Sequence, residues 1–316
     1  MKDILSRFRP NGYMSGEIIN RISQFLKLIR FKNLLFLLFL QSSIFYLLLS
    51  SSNISASHVW YGIIGLVIPT FLIAAFGNSV NDYFDYESDI INHKNASHSE
   101  RFAAEKIKKA SVRLGSLSLV SMAVSFLITN NLILLVFFIS SILLLYYYSL
   151  KMKCIPILGN LVVSCLCVIA LFLPIVYIML IAEGVKLTGE TRVFLSGFLF
   201  FVFLTTLIRE LIKDLEDING DRATGCKTLP VSIGESKTRN VLLGICLITA
   251  LMLMSWAQYL GIFVNAYVML FCVFPMILIG ALIVRTSNYG KVSKYLKWLM
   301  FSSSLLIYIF HFSYNL

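Results

Sequence analysis

Six of the chain's seven aspartates fall in two clusters. The first reads Asn81-Asp82-Tyr83-Phe84-Asp85-Tyr86-Glu87-Ser88-Asp89, the second Asp214-Leu215-Glu216-Asp217-Ile218-Asn219-Gly220-Asp221. Helical residues three or four apart share a face. Asn81, Asp85 and Asp89 therefore form one stripe with Asp82 beside it, and Asp214, Asp217 and Asp221 form another, with Gly220 loosening its last turn. Carboxylates ranked on one face repel, and cations remove the repulsion. Hard oxygen donors with few His or Cys suit Mg²⁺, which keeps coordination positions for substrate phosphates. Two facing carboxylate sets can thus hold a diphosphate through bridging Mg²⁺, with Lys151, Lys213, Arg222 and Lys227 adding positive charge. One such cluster alone is explained by a solvated helix end paired with loop lysines; two matched clusters are not.

The elements that position these residues are membrane helices. The 316 residues are 58% hydrophobic and 14% charged, with a mean hydropathy of +0.82, against roughly 25% charged in a soluble domain. A spanning helix needs about 20 mainly apolar residues. The chain has no Asp, Glu, Lys or Arg from Asn33 to Asn81, a run divided by the polar break Ser50 to His58. It has none from Leu114 to Leu150, where Thr129-Asn130-Asn131 marks a turn, nor from Asn240 to Val284, which divides near Gln258 to Gly261. Cys154 to Ala182, Val193 to Lys213 and Tyr295 to Phe312 give three further spans. The fold expected is all-α, with nine transmembrane helices in a single domain over residues 1–316, preceded by an N-terminal segment, 1–24.

Charge tests that count. With the N-terminus cytoplasmic, only Lys186 and Arg192 of the 27 Lys and Arg fall on the far side. Such asymmetry is what the positive-inside rule requires. The net charge of +11 is therefore topological, and nucleic-acid binding is not expected. Both aspartate motifs fall at cytoplasmic ends of spans, where a carboxylate needs protein, water or a cation. The N-terminus has no cleavable signal-peptide pattern. The six cysteines, Cys154, Cys165, Cys167, Cys226, Cys246 and Cys272, read as small core residues with no disulfide framework. His93 and His98 read as loop residues, and Asn53-Ile54-Ser55 is a sequon on the far side. The expected setting is a bacterial or archaeal cell membrane, with lipid as neighbour and no obligate protein partner.

At the aspartate motifs the sequence resembles the UbiA-type intramembrane prenyltransferases. Their N-D-x-x-D-x-x-x-D matches Asn81, Asp82, Asp85 and Asp89, and their D-x-x-D-x-x-x-D matches Asp214, Asp217 and Asp221. Tyr147 to Lys151 resembles the family's Y-x-x-x-K, and Arg30 and Asn33 a basic and an amide position at the entry to span one. The resemblance implies nine helices around a central cavity and transfer of a prenyl group from a prenyl diphosphate. It places Asn81, Asp85, Asp89, Asp217 and Asp221 on Mg²⁺, Arg30, Asn33, Tyr147, Lys151 and Lys213 on substrate, and Asp82 or Asp214 as the catalytic carboxylate taking the acceptor proton. One departure is the stretch Ile91 to Arg101, which lacks the Arg-Pro motif of many members; Lys94 or Arg101 would substitute. The run Arg209 to Asp217 resembles the subgroup whose lipophilic acceptor is geranylgeranylglyceryl phosphate. Aromatic acceptors of the quinone, haem or chlorophyll type are the alternative. A transporter of divalent cations or anionic lipids, or a prenyl diphosphate-binding scaffold, is the rival class.

Overall fold

With no water in a bilayer core, a spanning segment must satisfy its own backbone groups, which a helix does internally. The apolar runs obey this. A computed structural model describes residues 12–50, 60–92, 100–181 and 187–314. Among them nine helices are long and apolar enough to cross a membrane. They are α2 (Phe31–Ser50), α3 (Trp60–Phe84), α5 (Glu100–Thr129), α6 (Leu132–Leu150), α7 (Leu158–Ile181), α8 (Gly189–Glu216), α11 (Glu235–Ala257), α12 (Ile262–Arg285) and the pair α13 (Tyr289–Ser304) and α14 (Leu306–Tyr314). Shorter helices join them: α1 (Gly12–Leu28), α4 (Tyr86–Asn92), α9 (Ile218–Ala223) and α10 (Leu229–Ile233). Residues 51–59 of the polar break, the Asn53 sequon, His93, Lys94, His98, Lys186 and the Arg101 side chain lie outside the described part.

The count of nine agrees with the apolar runs, but the helices overshoot them. Helix α5 begins at Glu100 rather than Leu114, and α13 at Tyr289 rather than Tyr295. A helix does not stop where hydrocarbon stops; polar residues continue it into the interface. Asn131 caps α6 by accepting the Leu134 N–H at 3.1 Å, which fixes the turn foreseen at Thr129-Asn130-Asn131. Within the N-terminal segment, α1 presents Ile18, Ile22 and Phe25, all exposed, at helical spacing, as suits a helix lying in a membrane interface.

Helix α8 is the central column. It packs against α7, α11 and α13 and buries Phe194, Phe198, Phe201, Ile208, Leu211 and Ile212. At Gly197 it lies flat under Trp256, whose indole N–H donates to the Val193 carbonyl at 3.0 Å. A Cβ on Gly197 would stand 2.1 Å from Trp256 Nε1.

Three cysteines depart from the core reading. Cys246 and Cys272 are buried and Cys167 half-buried, but Cys165 is exposed on the outer face of α7, and Cys154 and Cys226 are joined in a disulfide across 72 residues. Spacing alone did not reveal it, because the bond joins the turn entering α7 to the loop after α9, and only the packed bundle brings these together.

Gly197→Leu is expected to destabilise the protein by about 1–3 kcal/mol through overpacking, read as a lower melting temperature in detergent, with Gly197→Ala in between.

Candidate active site

Both aspartate motifs are broken helices, not continuous stripes. Helix α3 ends at Asp85, which has φ −84° and ψ −4°. Helix α8 ends at Asp217, with φ −94° and ψ 5°. Both lie in the sparsely allowed bridge region, where turn and active-site residues collect. Asp side chains compete with the helix for nearby backbone groups, so the break falls at the middle aspartate and not at Gly220. Each third aspartate is then carried on a short helix, Asp89 on α4 and Asp221 on α9. These two helices pack against each other, with Cα atoms within 8 Å. The two motifs thus face one another at one end of the bundle.

Each carboxylate has a definite setting. Asp85 is buried, accepts the Asn81 amide N–H at 2.7 Å, and pairs with Lys153. Asp82 pairs with Arg30 at 2.9 Å. Asp214 accepts from the Asn160 amide at 2.8 Å. Asp221, also buried, accepts from the Thr228 hydroxyl at 3.0 Å. Burial holds the Asp221 carboxyl above its ordinary range; the Thr228 hydroxyl and Lys153 oppose this, while the Asp217 and Asp85 charges add to it. Arg30 has φ +52°, a left-handed backbone in a non-glycine residue, and such strain persists only where surroundings impose it. The Asp82 ion pair fixes its side chain, and the Asn33 and Leu34 N–H groups bond to its carbonyl at 2.8 and 3.2 Å.

Beneath the clusters lies a chamber of about 410 Å³ walled by α2, α3, α6, α7, α8 and α13. Its rim is polar, with Arg30, Asn33, Asn81, Tyr148, Glu210 and Lys213. Its depth is apolar, with Leu40, Phe138, Leu171 and Leu173. From Asn81 to Thr70, α3 descends roughly 16 Å along it at 1.5 Å per residue.

The structure brings Arg30, Asn33, Asn81 and Lys213 to the chamber and gathers Asp82, Asp85, Asp89, Asp214, Asp217 and Asp221 around its mouth. Tyr147 and Lys151 are not among the chamber residues. Tyr147 is exposed, its ring beside Tyr146, and Lys151 is the exposed C-cap of α6. Their neighbours occupy the inward positions: Tyr148 lines the chamber and Lys153 holds Asp85. The signal for Tyr148 was its adjacency in the Tyr146-Tyr147-Tyr148 run, where spacing could not choose the inward member. Glu210 and Lys297 were signalled by charge within an apolar span. Asn160 carried no sequence signal, and Thr228 was marked only by its place in the family-like run from Gly220 to Pro230.

The donor set can be tested against a divalent cation. Among the described residues, no three acidic, His or Cys side chains converge as a ready-made ion cage. Mg²⁺ does not need one, since it binds through one or two carboxylates plus water and phosphate oxygens. Asn81 Oδ1 is buried with no hydrogen-bond partner, an oxygen donor left over beside Asp85. Lys153 stands where positive charge is needed. The residues fit such an ion.

The arrangement defines a class: an all-helical membrane protein with an apolar chamber closed at one end by two facing carboxylate motifs. The sequence profile of the UbiA prenyltransferase family matches residues 36–305. The chain belongs to that family and is a prenyltransferase. It is 33% identical over 233 residues to digeranylgeranylglyceryl phosphate synthase of Methanosphaera stadtmanae, covering 72% of this chain and 79% of that one. It is 30% identical to the synthase of the same name from Methanococcus aeolicus, covering 89% and 94%. Among solved structures, a UbiA homologue from Aeropyrum pernix K1 superposes with a TM-score of 0.63 at 16% identity, covering 89% and 98%. One from Archaeoglobus fulgidus, solved bound to DMAPP and Mg²⁺, gives 0.56 at 15%, covering 89% and 99%. At these identities the two structures establish the shared fold.

Lys153→Met should strand the Asp85 charge and destabilise the protein by about 2 kcal/mol or more; Asp85→Asn in the same chain should restore much of the loss, as thermal melts will show. Asp221 has its folded-state pKa raised, so the folded chain holds that proton more tightly than the unfolded chain. Its ionisation opposes folding at neutral pH, and the penalty fades as pH falls through the raised folded value. The cation-free protein should therefore gain stability as pH falls from neutral toward the ordinary carboxylate range, and Asp221→Asn should remove that gain in thermal melts; an unchanged pH trend in the variant would remove this account of Asp221.

Proposed function

We propose that this enzyme transfers a prenyl group from a prenyl diphosphate to the free hydroxyl of geranylgeranylglyceryl phosphate, with Mg²⁺ as cofactor. The observation that carries the reading is the pairing of α4 with α9, which sets two carboxylate motifs over one apolar chamber. The names of the relatives support the acceptor, and the Archaeoglobus homologue's DMAPP and Mg²⁺ support the donor and cofactor. The basic asymmetry supports a cytoplasmic N-terminus and cytoplasmic motifs.

Asn81, Asp85, Asp89, Asp217 and Asp221 would supply the oxygen donors for the cation. Held there, Mg²⁺ supplies charge neutralisation for the departing diphosphate. Lys153, which stands beside Asp85, would bind a diphosphate oxygen, as would Lys213 and Arg30. Fixed cations in a dry site stabilise charge that develops as the C–O bond breaks. The apolar walls hold the prenyl chain and exclude water, which would otherwise capture the allylic cation. Tyr148, on the inward face of α6, stands between the polar rim and this well. The acceptor hydroxyl adds to the prenyl carbon, and its proton passes to a carboxylate. We place that role at Asp82, which pairs with the rim residue Arg30, whereas Asp214 is held by the Asn160 amide.

A cation transporter is the weaker reading. Transporter carboxylates gather near the bilayer midplane, whereas these sit at the helix ends. Purified protein given geranylgeranyl diphosphate, geranylgeranylglyceryl phosphate and Mg²⁺ should release diphosphate and yield the diether phosphate, identified by mass. Asp85→Ala and Asp217→Ala should each lower the rate by roughly a hundredfold or more. Normal turnover by both variants would refute the metal-site assignment, and product from an aromatic acceptor alone would refute the acceptor.

A further inference from the structure

The cations on the chamber wall outnumber what the diphosphate site uses. Arg30, Lys32, Arg209, Lys213 and Lys297 line the chamber, and Glu210 is the one acid among the lining residues. Arg30 is held by Asp82, and Arg209 by Glu210 at 2.8 Å. Lys213 feels the charges of Asp82, Asp89 and Asp214 and belongs to the motif end. That leaves Lys32 and Lys297, neither of which has a hydrogen bond or ion pair among the described residues.

Their placement is matched. Helices α2 and α13 begin at the same end of the bundle and run in the same direction, as the first and ninth spans. Phe36 lies one turn beyond Lys32, and Phe301 one turn beyond Lys297, on the same helical faces. The Phe36 and Phe301 rings meet, with centroids 6.3 Å apart. The two lysines therefore sit at one level, a turn above a shared aromatic contact, and Lys153 is not among the chamber residues. Arg209 is at hand, because α8 packs directly on α13 and Lys297 lies within electrostatic reach of Arg209 and Arg30, with the carboxylates of Glu216 and Glu210 on α8 also in reach but not paired with it. Below them the wall is apolar, with Phe36, Met300 and Phe301.

We propose that Lys32 and Lys297 form a second anion subsite, which takes the phosphate monoester of the lipid acceptor while Phe36, Met300 and Phe301 guide its chain. Two lysines without a direct ion pair match the two negative charges of a phosphate monoester. The aromatic contact beneath them suits a lipid and not a small soluble anion. The inference rests on the glyceryl phosphate reading above and assigns residues to it.

The test is transfer kinetics in detergent with geranylgeranylglyceryl phosphate and with the same lipid lacking its phosphate. Lys297→Met should raise the acceptor KM at least about tenfold and move the prenyl diphosphate KM by less than about twofold. The preference for the phosphorylated acceptor should fall by a similar factor, and Lys297→Arg should restore it; Lys32→Met should behave like Lys297→Met. Rescue by Arg separates lost charge from misfolding. Unchanged preference in both Met variants would overturn the subsite. So would an unchanged acceptor KM in Lys297→Met accompanied by lost inhibition by inorganic phosphate or by phosphatidate vesicles, which would assign the lysines to another phosphate. A wild-type enzyme that prenylates an aromatic acceptor and not the glyceryl phosphate would overturn the acceptor reading itself, a result visible before any variant is made.

Discussion

Repulsion among carboxylates at the ends of apolar spans is the constraint from which the rest of this structure follows. Asp85 and Asp221 are buried within electrostatic reach of one another, and Asp89 and Asp217 add their charges nearby. At an effective dielectric of about 20, two unit charges 4 Å apart repel by about 4 kcal/mol. A fold that gathers several such charges must bring cations with it. Lys153 on Asp85 and Arg30 on Asp82 do so within the chain. Beside them Asn81 Oδ1 is a buried oxygen donor without a hydrogen-bond partner. Carboxylates gathered in this way gain stability from an added cation.

The breaks at Asp85 and Asp217 serve this constraint. A continuous helix through Asp82, Asp85 and Asp89 would carry Asp89 straight out along the axis of α3. Ending α3 at Asp85 lets α4 fold over and meet α9, which has turned in the same way from α8. The two halves of the site converge because both helices bend at the middle residue of their motif. The Cys154–Cys226 disulfide fastens the same region, joining the turn that carries Lys153 to the loop that follows Asp221.

Much of the architecture was legible in the sequence. Apolar runs and the placement of Lys and Arg gave nine spans, because bilayer thickness and charge asymmetry act on every residue of a span. The aspartate motifs were legible because hydrocarbon-facing sequence makes each carboxylate conspicuous. What failed to show were features set by tertiary packing. Tyr147 and Tyr148 are indistinguishable as residues; only the rotation of α6 against α3 and α7 decides that Tyr148 faces inward. Lys151 and Lys153 differ by two positions in a turn whose path is fixed by Ile157 at φ +66°. The disulfide joins residues whose proximity exists only once the bundle is packed.

The division of the chamber into a charged rim and an apolar well orients any amphiphile that enters. A prenyl diphosphate can satisfy both zones in one direction only, headgroup at the aspartates and chain toward Leu40 and Phe138. The reverse pose would bury phosphate among leucines, at several kcal/mol for each unsatisfied polar group. An acceptor that is also an anionic lipid meets the same demand and must find a cation that the diphosphate does not occupy. The wall of α3 and the turn before α7 are committed to Asp85, Asp82 and Lys153. The wall of α2 and α13 carries the lysines without a direct ion pair, Lys32 and Lys297, so two anionic headgroups can share one chamber only if each meets its own set of cations.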